Sequence, residues 1–175
     1  MLKTFMMALA MTGIAAPALA HATLETGQAP AGGSYKAVVR VPHGCGGKPT
    51  NVVRVKLPQG YYAVEPMPKA GWTLEKVVGK YAKPYNNHGT EMTEGVTEVV
   101  WSGGNLLDEE YDEFVMRGSL GGDLAVGETL WFLVVQECPG GAAERWIEIP
   151  ATGQSTGDLA KPALGLTITE KKSGH

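Results

Sequence analysis

The chain has 175 residues, a formal net charge of −3, 43% hydrophobic and 19% charged residues. That length fits one domain with a proper core, and the mild acidity, with no basic stripe and no interleaving of arginine with aromatic residues, argues against a nucleic-acid partner. With 24 glycines and 11 prolines, the chain is divided by turns rather than built from long helices.

The N-terminus comes first. Met1, Leu2 and Lys3 give a short positive start, Phe5 to Ala16 an apolar stretch, and Ala18-Leu19-Ala20 the small-x-small pattern of a signal peptidase site. Residues 1–20 are therefore read as a secretory signal peptide, 21–170 as one domain and 171–175 as a disordered tail. The apolar stretch is shorter than the roughly 20 residues of a membrane span, and no later segment approaches that length. The expectation is a periplasmic protein with no span after cleavage, whose first residue is His21.

From His21 the segment "HATLE" runs directly into extended chain, with His21, Thr23 and Glu25 on one face. "SYKAVVRVP" (34–42) alternates Tyr35, Ala37, Val39 and Val41 against Lys36, Val38 and Arg40, the period of a half-buried strand. "NVVRVKLP" (51–58) does the same with Val53, Val55 and Leu57. Further strands are expected at 61–66, 72–81, 95–101, 112–120, 129–138, 144–150 and 164–170, separated by turn signals such as Pro58-Gln59-Gly60 and Pro139-Gly140-Gly141. The pattern predicts an all-β fold, an antiparallel β-sandwich of roughly seven to nine strands, immunoglobulin/fibronectin-like or cupredoxin-like.

Two cysteines, Cys45 and Cys138, follow the signal in a chain bound for an oxidising compartment, and one disulfide is the economical reading. Closing a loop of about 90 residues would contribute about 4 to 5 kcal/mol on the loop-entropy estimate. The bridge also draws "VPHGC", and with it His43, towards the strand "ERWIEIP". In that strand Ile147 and Ile149 share one face while Glu144, Trp146 and Glu148 share the other, so Trp146 is expected on the polar side, either screening a bound cation or packed under a loop or the N-terminal strand. Trp72, Trp101 and Trp131 have apolar neighbours and read as core.

His21 carries the sharpest chemical possibility. At a free N-terminus its α-amine and imidazole Nδ1 close a chelate ring on Cu(II), an ion that favours square N/O sets. Against this, any residue can follow a cleavage site, and the first residues of a domain are often unanchored. His43 is a candidate second ligand or a turn residue, and His88, in "YNNHGTEM", reads as a loop residue. The acidic run 108–114 lacks EF-hand spacing and reads as a solvated turn. No G-x-G-x-x-G or H-x-x-x-H occurs, and no methionine follows Cys138, which disfavours a blue-copper centre.

Taken in order, "HATLE" after the cleavage site, "VPHGC", "GWTLE", "EVVWSGG", "DEFVMRG", "VVQEC" and "RWIEIP" resemble the YcnI-like family of bacterial exported proteins, across His21 to about Thr169. The resemblance implies a β-sandwich that binds Cu(II) through the new N-terminal histidine, a carboxylate and a nearby tryptophan, a one-histidine form of the histidine brace. His21 matches the histidine and Trp146 the tryptophan. Where the carboxylate is expected, after "VP", this chain has His43-Gly44-Cys45, so either His43 replaces it or Glu25 or another acid supplies it. Copper homeostasis, with copper chaperones or transporters as partners, is the implied setting. The membrane helix carried by many relatives is not expected here. The expected function is Cu(II) binding without turnover; the alternatives are a copper oxidase of the histidine-brace kind, for which 7% aromatic residues offer little docking surface, and a sandwich that binds only other proteins.

Overall fold

A computed structural model describes residues 21–171; the signal peptide expected at 1–20 and residues 172–175 of the expected tail lie outside the described residues. Eleven strands form two packed sheets: β1 (Thr23–Leu24), β2 (Gln28–Pro30), β3 (Ser34–Val41), β4 (Thr50–Lys56), β5 (Tyr61–Pro66), β6 (Thr73–Asn87), β7 (Thr90–Leu106), β8 (Asp112–Leu120), β9 (Thr129–Glu137), β10 (Ala143–Trp146) and β11 (Leu164–Thr169). One sheet has the order β1-β3-β8-β5, the other β2-β11-β9-β4-β7-β6, with β10 also paired to β9. The ladders are antiparallel except for β2 against β11, which is parallel. Among the described residues no helix is long and apolar enough to cross a membrane.

Alternation decides which side chains fill the space between the sheets. Tyr35, Ala37, Val39 and Val41 of β3 and Phe114 and Met116 of β8 face Val53 and Val55 of β4, Trp101 of β7, and Phe132 and Val134 of β9, all buried. The residues between them carry the charge: Arg54 on β4 reaches Glu137 of β9 at 2.6 Å across the outer face.

The expected strands at 61–66 and 112–120 have those bounds. The pair around 72–101 is longer than the pattern indicated, since β6 and β7 form a hairpin that turns at His88 and Gly89, both with positive φ (51° and 90°). Its polar turn residues and exposed Val77 and Val78 hide the alternation. His88 is a turn residue, and its neighbour Asn86 accepts the Gly89 N–H at 2.8 Å. In the acidic run, residues 108–110 lie in the β7–β8 turn, while Asp112 pairs with Lys69 at 2.6 Å and Glu113 with Arg40 at 3.5 Å.

Two tryptophan expectations are corrected. Trp146 is 1% exposed, whereas Ile147 and Ile149 are 41% and 52% exposed. β10 stops at Trp146, whose register partner is the inward Val134, and side chains directly opposite in a ladder share a face. The two isoleucines lie beyond the strand, where the Ile147 N–H turns back to the Arg145 carbonyl at 3.0 Å. Trp131 is not core either: it stands on the outer face of β9, partly exposed, over Gly165 of β11, where a Cβ would come within 2.9 Å of its ring. Trp101 is fully buried, and Trp72 is half-buried, edge-on to Phe114 at 5.0 Å.

Candidate metal centre

β3, β4, β9 and β10 converge at one end of the sandwich. Cys45, just after β3, is bonded to Cys138, just after β9, with their Cα atoms 6.1 Å apart, so the turn carrying His43 is fixed to the end of β9. Both cysteines are buried.

Beneath this bridge lies a buried polar network. The Trp146 indole N–H donates to the Gln136 amide oxygen at 2.6 Å; the Gln136 amide nitrogen donates to the His43 carbonyl at 2.8 Å and to Thr50 Oγ1 at 3.0 Å. Gln136 and Thr50 are fully buried. Every heavy atom of the Gln136 amide thus has a partner, the condition under which a buried polar group is tolerated. Sequence reasoning overlooked Gln136, although its signal was present. Along β9 the inward positions are Leu130, Phe132 and Val134, and the next is a glutamine.

Trp146 is the meeting point of the candidate ligands. The His21 ring lies 5.4 Å from the indole and the His43 ring 6.4 Å from it, centroid to centroid. Among the described residues His21 Nε2 is buried without a hydrogen-bond partner, and such a group costs about 1–3 kcal/mol unless something else meets it. His43 Nδ1 stands 2.6 Å from the Gly44 carbonyl oxygen. A carbonyl only accepts, so Nδ1 is the donor of this contact, and in a neutral ring so arranged the lone pair is at Nε2, an orientation common to metal-binding histidines. On the indole's π face sits the Lys161 ammonium, 4.6 Å from the ring centroid and paired with Glu144.

Glu25 does not join this group. It is exposed and engaged by Arg40 at 3.0 Å. Among the described residues no cluster of three or more His, Cys, Asp or Glu stands close enough to hold a metal. An open cleft of about 490 Å³ runs from His21 past Leu24, Trp131 and Leu164. A larger one, about 890 Å³, is at the far end of the sandwich by Ser34, Tyr62 and Lys83, remote from these groups.

Residues 21–168 match the sequence profile described as "Domain of unknown function (DUF1775)". The chain belongs to this family. DUF1775 is the family usually called YcnI-like, so the motif resemblance and the profile agree, and the profile begins at His21. No curated protein matches the chain. An uncharacterized protein from Nocardia farcinica with an immunoglobulin-like fold is similar at 23% identity and a TM-score of 0.63, over 85% of this chain and 98% of that one. This DUF1775 domain is thus an immunoglobulin-like sandwich rather than a cupredoxin-like one. Weaker likenesses are the sixth cohesin of Acetivibrio cellulolyticus scaffoldin B (6% identity, TM-score 0.44, 86% and 98% covered) and a non-cellulosomal cohesin of Archaeoglobus fulgidus (10%, 0.39, 87% and 92%).

Proposed function

We propose that this is an exported Cu(II)-binding protein that takes its cargo at the N-terminal histidine of the processed chain and passes it on without turnover. The observation that carries the reading is the contact between His21 and Trp146. The residue placed first by the expected cleavage after Ala20 lies against a buried tryptophan, at 5.4 Å.

The donor set fits a chelate that cleavage completes. Among the described residues the side-chain ligands form no cluster of three, and a donor that is not a side chain adds to them. The α-amine of His21 is such a donor: bound in a peptide it is not basic, and freed it closes a ring with Nδ1 of the same residue. His43 is the second-histidine candidate, and its Nδ1–H contact to Gly44 suits ligation through Nε2. Trp146 shields the ion from water on one side. Among the described residues Tyr111 is the only aromatic among the exposed large apolar side chains, which favours binding over oxidation of an extended substrate.

The test is a titration of protein beginning at His21 with Cu(II), followed by tryptophan emission and by electron paramagnetic resonance. The expected result is one ion per chain, a nitrogen-rich spectrum and quenching that is mostly lost in Trp146→Phe. No copper uptake would overturn the reading in favour of a protein-binding sandwich, and quenching unchanged in Trp146→Phe would put the ion elsewhere.

A further inference from the structure

The Trp146 indole has a cation on its face that belongs to the chain itself. Lys161 Nζ lies 4.6 Å from the ring centroid, within the roughly 6 Å over which a cation is attracted to an aromatic face, and its ammonium is paired with Glu144. The main chain at Lys161 is held just as closely. Its carbonyl accepts the N–H groups of Ile147 and Glu148, both at 3.1 Å, and its own N–H donates to Glu148 Oε2 at 2.9 Å. The segment after Trp146 thus folds back to bring residue 161 beside residue 146, and the side chains of Lys161 and Glu144 are only 32% and 20% exposed.

We infer that Lys161 is a built-in cation that limits how tightly the His21 site holds Cu(II), so that the ion stays exchangeable. The inference rests on the copper reading above and concerns the strength of that site. Lys161 and His21 border the same indole, at 4.6 and 5.4 Å from its ring centroid, so the ammonium and the His21 ring are at most about 10 Å apart. A divalent ion about 10 Å from an ammonium loses about fourfold in affinity even at the dielectric of water, and more inside a protein. Glu144 offsets part of this, but the ammonium is the member of the pair that lies on the indole. Because the repulsion scales with the charge of the ion, Lys161 disfavours Cu(II) more than Cu(I). It therefore raises the reduction potential of the bound metal.

The experiment is competition of the protein beginning at His21 against a chelator for Cu(II), at low and high salt, with the potential of the loaded protein measured alongside. Lys161→Gln should bind Cu(II) about fourfold tighter or more, with a lower potential and a gap that narrows in salt. Lys161→Arg, which keeps the charge, should match wild type, and Glu144→Gln should bind more weakly. Lys161→Met keeps the aliphatic stem over the indole and serves the same comparison if the glutamine variant folds poorly. Wild-type affinity in both Lys161→Gln and Lys161→Met overturns the inference while leaving the copper site standing. An equal gain in Lys161→Arg overturns it too, since packing and not charge would then be responsible. A wild-type protein that takes up no Cu(II) overturns the site and the inference together.

Discussion

Trp146 and Gln136 are hydrogen-bonded across neighbouring strands, indole N–H to amide oxygen at 2.6 Å, in the interior of the sandwich. In the β9–β10 ladder Gln136 lies opposite Glu144, so it is the diagonal neighbour of Trp146, close enough for a long side chain to reach. Its amide nitrogen then ties down the His43 carbonyl at 2.8 Å. One buried amide therefore fixes the tryptophan and one of the two histidines that border it.

Gln136→Leu should destabilise the fold by about 2 to 4 kcal/mol, because it leaves the buried indole N–H without its acceptor and removes the amide that holds the His43 carbonyl, while filling a similar volume. Urea unfolding followed by circular dichroism measures this. A midpoint equal to wild type would mean that the network carries no stability.

The Cys45–Cys138 bridge closes 93 residues, and replacing both cysteines with serine should cost about 2 to 5 kcal/mol. The effect on His43 separates the bridge's two roles. Its ring resonances should broaden or shift in the double variant under conditions where the rest of the sheet spectrum is retained. Two reactive thiols in the native protein would contradict the bridge at once.

Much of this was legible in the sequence. The alternation of Val53, Val55 and Leu57 and of Tyr35 through Val41 places the core correctly, because each strand has one apolar and one charged face. Trp146 shows where such reading stops. Two isoleucines outvote one tryptophan in a periodicity argument, yet the chain leaves the sheet at Trp146, and Glu144 is made tolerable on the inner face by Lys161, 17 residues later. A pattern confined to one strand cannot see a partner supplied by a distant loop. β1 and β2 are too short, at two and three residues, to show a period at all. The proximity of His43 to Trp146 was accessible through the two cysteines, whereas Gln136 needed the inward register of β9 to be noticed.

Alkaline pH should unfold the protein in a defined window. Burial pushes the Tyr35 phenol up to about 12, with the Glu25 carboxylate adding to the effect. Tyr61 is raised as well, by burial and then by Tyr35. Below about pH 10 the folded and unfolded chains both keep these protons, and stability does not depend on them; between about 10 and 12 the unfolded chain loses protons that the fold retains, so stability falls as pH rises. Absorbance at the phenolate band should show two tyrosines ionising only as the circular dichroism signal is lost. Ionisation of all six tyrosines ahead of unfolding would contradict their burial.

The central claim is that cleavage before His21 creates the copper site by freeing an amine, and the most direct measurement of it compares Cu(II) affinity for two proteins that share every side chain. One begins at His21, and the other carries a single glycine in front of it. The account predicts that the glycine extension loses most of the affinity, about as much as His21→Ala, because the nitrogen beside the imidazole becomes a peptide nitrogen and is no longer a basic ligand. Equal affinity and an unchanged spectrum in the extended protein would contradict it.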